Sequence, residues 1–348
     1  MTDTGHPART STGPAAALRA AAGLALLLAP LFCRPLLGGE APVRDYRPCW
    51  ALATPRGGAA PLVVLRTFAQ GRARRVLVID PTTLATGLRD VVDLTIEPGP
   101  REAVEKRFAA TPYFAALRDA AAGAAAGRSA GLDRLLASPP GIALTVDLCP
   151  SRKPMDRRLF TEVVREFGRE ERPVPVAVAV TGVWMEEHPA DLDFLKALKR
   201  SGDISVTWIN HSYHHRWDKA LPLSHNFLLE KGTDVAAEVL RTEAAMIERG
   251  LVPSAFFRFP GLVSDRELLL TIESFGLVPV GSDAWLGKNE WPREGSIVLV
   301  HANGNEPYGI ARFLKLLREE RPRIVRHEWL LLDLREATVA REKTRGAR

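Results

Sequence analysis

Three histidines fall within five residues in His211-Ser212-Tyr213-His214-His215, directly after the apolar run Ile204 to Ile209. Imidazoles at i and i+4 face the same way on one helical turn, the geometry that two-histidine metal sites use. A single loop histidine is ordinarily a solvated residue. Three after one strand point to a metal, with His211 and His215 as its ligands. Four more polar residues stand just past apolar runs: Asp147 after Ile142 to Val146, Arg258 after Ala255 to Phe257, Asp283 after Leu277 to Val280, and His301 after Ile297 to Val300. Charge at the mouth of a barrel is costly unless paired or ligated, so five such strand ends are poorly explained by coincidence. Each residue alone keeps a plainer alternative. Arg258 before Phe259-Pro260-Gly261 is either fixed at its strand end by that turn or part of a surface ion pair. His301 is an acid or a hydrogen-bonded core histidine, and Asp283 orients an imidazole or caps its loop. Cys149 lies beside Asp147 with no evident base near it, which makes a thiol nucleophile the least favoured role.

The elements that must carry these residues alternate regularly after Pro140. Ile142 to Val146, Val174 to Val180, Ile204 to Ile209, Ala255 to Phe257, Leu277 to Val280, Ile297 to Val300, and Ile324 with Val325 read as strands. Between them lie helices: one capped by Asp156, one opened by Pro189 and stopping near Gly202, one from Thr233 to Gly250, one with a Ser264/Glu267 capping box, and one from about Pro307 to Glu320. About seven strand–helix repeats predict an α/β fold, a distorted (β/α)7 barrel smaller than the eightfold type. A doubly wound open sheet is the second choice, without a Gly-rich phosphate loop after its first strand. Residues 41–136 read as a small α+β region of unassigned role. It has strands at Trp50 to Thr54, Pro61 to Phe68 and Arg75 to Ile79, then helices from Arg101 to about Ala126 and from Arg128 to Pro140. The barrel domain spans 137–335 and a basic tail spans 336–348.

Composition excludes several classes. With 46% hydrophobic and 25% charged residues, the chain of 348 reads as globular, neither disordered nor membrane-embedded. Its net charge of +6 comes from scattered Lys and Arg, with no basic block interleaved with aromatics, so nucleic acid is not an expected partner. Residues 1–40 follow the signal-peptide plan: Arg9 and Arg19, an apolar run from Ala20 to Phe32, then small residues. The run falls short of the about 20 residues that span a bilayer. Export to the periplasm or beyond is therefore expected, with a membrane contact only if the segment stays uncleaved. Cys33 lacks the small residues of a lipidation site. Cys49 and Cys149 are expected as separate buried thiols.

The strand-end residues resemble, in order and spacing, the motifs of the polysaccharide deacetylase family, also called the NodB homology domain or carbohydrate esterase family four. Thr145-Val146-Asp147 is similar to its first motif and Asn210-His211-Ser212-Tyr213-His214-His215 to its second. Arg258-Phe259-Pro260-Gly261, Ser282-Asp283-Ala284-Trp285 and Leu299-Val300-His301 are similar to the third, fourth and fifth. The resemblance implies Asp147 as general base, His211 and His215 as ligands of a divalent metal such as zinc, and His301 as the acid that protonates the leaving amine. It also implies that Arg258 positions the base and that Asp283 tunes His301. The substrate class it implies is an N-acetylated cell-envelope glycan.

The chain departs from that pattern at Leu148, which holds the position of the family's metal aspartate. An alkyl side chain cannot ligate, so two functions remain in view. One is a metal-dependent N-deacetylase; the other is an impaired NodB-like domain that binds glycan. Leu148→Asp is expected to raise divalent-metal affinity, and deacetylation with it if the protein is an impaired member of the family; if Leu148 instead packs in the core, the same change should destabilise the fold. No Gly-x-Ser-x-Gly elbow follows a strand, which disfavours a serine esterase.

Overall fold

A computed structural model describes residues 41–125, 131–136, 140–168 and 170–346. Residues 1–40, read above as a signal peptide, lie outside the described residues with Cys33.

Residues 43–98 form an antiparallel sheet of five strands in the order β4-β3-β2-β1-β5. These are β1 (Val43–Pro55), β2 (Leu62–Gln70), β3 (Ala73–Ile79), β4 (Thr86–Asp90) and β5 (Leu94–Pro98). Two helices follow, α1 (Arg101–Phe108) and α2 (Pro112–Ala125), with Pro112 at the start of the second, where its missing N–H costs nothing. Val63, Leu65 and Ile79 of the sheet pack with Tyr113, Phe114 and Leu117 of α2.

The parallel half follows the predicted alternation. Its elements are β6 (Gly141–Leu148), α3 (Arg158–Phe167), β7 (Val174–Val180), α4 (Gly182–Glu187), α5 (Pro189–Arg200), β8 (Ile204–Asn210), α6 (Val235–Glu248), β9 (Phe256–Phe257) and α7 (Arg266–Ser274). They continue with β10 (Val278–Pro279), β11 (Ala284–Trp285), β12 (Ile297–His301), α8 (Pro307–Val325), β13 (Leu330–Leu331) and α9 (Leu334–Gly346). Seven strands pair in the order β10-β9-β8-β7-β6-β12-β11, and β13 joins the start of β6. All of these pairings are parallel. The result is a parallel half-barrel of the distorted (β/α) kind.

Both faces of its central strands are buried, as parallel sheets require. Period-two alternation divides them. Ile142, Leu144, Val146 and Leu148 of β6, with Val174, Val176, Val178 and Val180 of β7, face the helix layer, against Leu159, Phe160, Val163 and Phe167 of α3 and Phe313 of α8. Ala143, Ala177, Ala179 and Ile209 face inward, where Phe256, Val278 and Ile297 meet the side chains of β2, β3 and α2. The antiparallel sheet and α2 thus supply part of the core that the strands enclose.

Several local expectations are corrected. Arg128 to Pro140 does not form a helix where it is described: residues 131–136 run extended, with Leu132 bridged to Val280 and Arg134 to Ser296. Gly131 allows this with φ +105, and a Cβ there would meet the Pro279 carbonyl oxygen at 2.4 Å. Ile324 and Val325 end α8 instead of forming a strand, because Ile324 continues the stripe of Ile310, Phe313 and Leu317; the strand is Leu330–Leu331. Asp265, not Ser264, caps α7, and Asp234, not Thr233, caps α6, since a carboxylate also complements the helix dipole. Helix α9 begins at Leu334 and runs to Gly346, through the described part of the segment 336–348 read as a tail. Both described cysteines are free, Cys149 buried and Cys49 half-buried on β1.

Candidate active site

Strand register brings the polar residues to one level. His301, the last residue of β12, pairs with Asp147 on β6, and Asp147 pairs with Ala179 on β7. Asn210, ending β8, pairs with Val180 and with Phe257, so His211 and Arg258 leave their strands side by side. The His211 Nδ1–H donates to the Arg258 carbonyl at 2.8 Å. A carbonyl only accepts, so Nδ1 carries the proton and Nε2 keeps its lone pair for the mouth. That nitrogen stands 3.6 Å from Asp147 Oδ2 and 3.5 Å from Cys149 Sγ. Burial lowers the His211 pKa, with Asp147 opposing, which favours the neutral ring that ligates.

The histidine pair is not made by a helical turn. Residues 211–218 form an irregular loop in which Ser212 (φ +67) and His215 (φ +49) are left-handed. Such backbone costs roughly 1–3 kcal/mol per residue and persists only where neighbours over-determine it. Here Asn210 Oδ1 accepts from Ser212 N at 3.1 Å, and Glu238 Oε2 accepts from the Tyr213 and His214 amides at 2.8 and 2.9 Å. His214 Nδ1 also bonds Glu238, which turns that ring away from the mouth. His215 returns to it, its ring centroid 4.9 Å from that of His211 and edge-on to Phe227.

Asp147 and Arg258 are both buried. Arg258 Nη1 lies 3.4 Å from Asp147 Oδ1 and Nη2 donates to Thr145 Oγ1 at 2.9 Å, while Nε has no partner. Burial lowers the Arg258 pKa, and Asp147 opposes that. The guanidinium holds the carboxylate toward the mouth and leaves Oδ2 free of it.

His301 Nδ1 bonds Glu306 Oε2 at 3.1 Å, and the same carboxylate accepts from Trp285 Nε1 at 3.0 and 3.2 Å. Room for it comes from Gly287, where a Cβ would lie 2.0 Å from Glu306 Cδ. Burial works to lower the His301 pKa; hydrogen bonds with Cys149 and Glu306 outweigh it and hold the imidazole well above its usual range. Cys149 moves the other way: burial raises it, but His215 and His301 bring the thiol down to about 7.

Two expectations fail on geometry. Asp283 does not reach His301. It accepts from Ile297 N at 3.1 Å and Ser296 Oγ at 3.2 Å, at the amino end of β12, about 13 Å of strand from the mouth. Glu306 takes the place beside His301 instead. Leu148 faces away from the mouth into the helix-side core, so Leu148→Asp would bury an unpaired carboxylate there. Cys149, set aside for want of a base, has three imidazoles around it. The only trace of Glu306 in the sequence is a glutamate five residues after His301.

No protein-family profile matches the chain. Its likeness among solved structures is to family 4 carbohydrate esterases. One from Bacillus anthracis shares 21% identity over 55% of this chain and 82% of that one, with a TM-score of 0.38. Bacillus subtilis PdaA shares 16% over 58% and 81%, with a TM-score of 0.41. A family 4 pseudoenzyme from Bacillus anthracis shares 16% over 52% and 61%, with a TM-score of 0.35. No helix among the described residues is long and apolar enough to cross a membrane.

Proposed function

We propose that the protein is an exported hydrolase that removes N-acetyl groups from an N-acetylated envelope glycan, peptidoglycan or exopolysaccharide, with a divalent metal at the strand ends. The observation that carries the reading is the pairing of Asp147 with His301 on adjacent strands beside the histidine pair His211/His215. A carboxylate and an imidazole so placed divide the two proton transfers of amide hydrolysis. Asp147 takes a proton from water as the water oxygen bonds the acetyl carbon. His301, kept protonated by its hydrogen bonds, gives a proton to the amide nitrogen as the C–N bond breaks. The products are acetate and a free glycan amine.

Arg258 positions Asp147, and Glu306 with Trp285 positions His301. The donor set fits a divalent metal: neutral His211 offers Nε2, and His215 turns its ring to the same point. When bound, the metal would polarise the acetyl carbonyl and acidify water. The +6 charge suits an anionic envelope glycan.

A second reading, glycan binding without turnover, is favoured by Leu148, which leaves the family's aspartate position without a donor. The two separate on one assay. Zinc-loaded protein given N-acetylglucosamine oligomers or peptidoglycan should release acetate, and Asp147→Asn and His301→Gln should lower release by about 10²–10⁴-fold. Glycan binding with no acetate released establishes the second reading.

A further inference from the structure

The mouth contains a donor that the family pattern does not call for. Cys149 Sγ, His211 Nε2 and a ring nitrogen of His215 all lie within 4.8 Å of one another. We propose that Cys149 is the third protein ligand of the metal, making this a thiolate–bis-imidazole site in which sulfur replaces the expected carboxylate. The inference rests on the metal-dependent reading above and specifies the ligand set of that site.

Three features of the chain support it. First, β6 ends at Leu148, which is committed to the helix-side core, and the next residues, Cys149-Pro150, turn out of the strand. Asn303 Nδ2 donates to the Cys149 carbonyl at 3.2 Å and fixes that turn, so the first side chain beyond the strand that faces the histidines is the thiol, while Asp147 faces them from the strand itself. Second, the spacing suits tetrahedral coordination. Zinc–sulfur and zinc–nitrogen bonds of about 2.3 and 2.0 Å imply a sulfur–nitrogen edge of about 3.5 Å. Cys149 Sγ and His211 Nε2 stand 3.5 Å apart. Third, the His211 tautomer is set by the Arg258 carbonyl, the outer support that metal-binding imidazoles ordinarily have.

A thiolate and two imidazoles leave the fourth tetrahedral position for water or the acetyl oxygen, as in catalytic zinc sites with three protein ligands. The choice of sulfur also sets which metals enter. Thiolate with imidazole suits zinc, whereas magnesium, calcium and manganese prefer oxygen. Asp147 keeps both oxygens for Arg258 and for proton transfer.

The test is spectroscopic and does not use turnover. Full-length protein loaded with cobalt(II) should show an intense near-ultraviolet thiolate-to-cobalt charge-transfer band, absent in Cys149→Ser and Cys149→Asp. Zinc affinity of Cys149→Ala should fall by at least about 100-fold, the upper end for losing only a supporting group. Cys149→Asp should retain zinc and gain manganese. Zinc should shield Cys149, and not Cys49, from iodoacetamide in mapped peptides. Melting curves of the metal-free forms show whether each variant is folded; with folded variants in hand, three results overturn the proposal. Cobalt bound without the thiolate band, or zinc held by Cys149→Ala as tightly as by wild type, would mean that the histidines act without the thiol, and the deacetylase reading would stand. Wild-type protein that takes up neither metal overturns the ligand set and the metal-dependent reading together.

Discussion

Two arginines are buried to the same depth in this protein and do different work. Arg66 on β2 is saturated. Its Nε and Nη2 reach both oxygens of Glu243 on α6 at 2.7 and 3.0 Å, and Nη1 donates to the Leu65 and Phe275 carbonyls. Tyr46 gives Glu243 a further hydrogen bond at 2.9 Å. Arg258 meets its carboxylate through one longer contact, keeps a bond to Thr145 and leaves Nε without a partner. The shifts agree with the geometry. Burial lowers the pKa of both, but Glu243 and its neighbours reverse this at Arg66, whereas at Arg258 the lowering prevails. A fully satisfied buried charge fixes architecture; an under-satisfied one keeps donor capacity for the mouth.

The largest effect should come from breaking the saturated pair. Arg66→Met leaves Glu243 buried without its counterion and should cost about 3–5 kcal/mol in urea unfolding. The double variant Arg66→Met/Glu243→Leu should recover most of that loss; if it does not, the pair stabilises the fold beyond mutual neutralisation. Arg258→Lys should divide the other way. Acetate release should fall by about 10²-fold through kcat, with the melting midpoint near wild type, because one amine cannot serve Asp147 and Thr145 together. A large fall in melting temperature would place Arg258 with Arg66 as an architectural residue.

The smallest effect belongs to a buried carboxylate with no arginine hydrogen-bonded to it. Glu273 has one oxygen without a partner, and burial, opposed by Arg101, raises its pKa from 4.5 to about 7. The folded state then binds more protons than the unfolded one between about pH 4.5 and 7, so stability falls as pH rises through that window and stays lower above it. Glu171, raised to about 7 by burial, adds to the same slope. Glu273→Gln should flatten the fall between pH 5 and pH 8 in part; an unchanged slope would assign it to Glu171 and other groups.

What was legible from sequence follows from which interactions are local. Strands β6, β7, β8, β9 and β12 announce themselves as apolar runs, and a polar residue ending such a run must sit at the strand's end, so Asp147, His211, Arg258 and His301 are found without a structure. Asp283 misleads because it stands before the two-residue strand β11, whose pairing with β12 sets it level with Ile297. Cys149 and Glu306 depend on how a chain leaves a strand and on the space beside Gly287, neither of which has a periodic signature. The i, i+4 spacing of His211 and His215 identified a pair for the wrong reason, since the loop that joins them is left-handed twice.

Helix α6 carries Glu243, which receives Arg66, and, five residues earlier on the same helix, Glu238, which grips the backbone of the histidine loop. The antiparallel sheet and the strands of the candidate site are therefore coupled through one helix. A gene fusion or recombination that takes residues 137–348 and leaves 41–136 behind would strip Arg66 and Tyr46 from Glu243. It would put an orphaned carboxylate on the very helix that braces the histidine loop, so the exchange would reach the mouth without altering a residue in it.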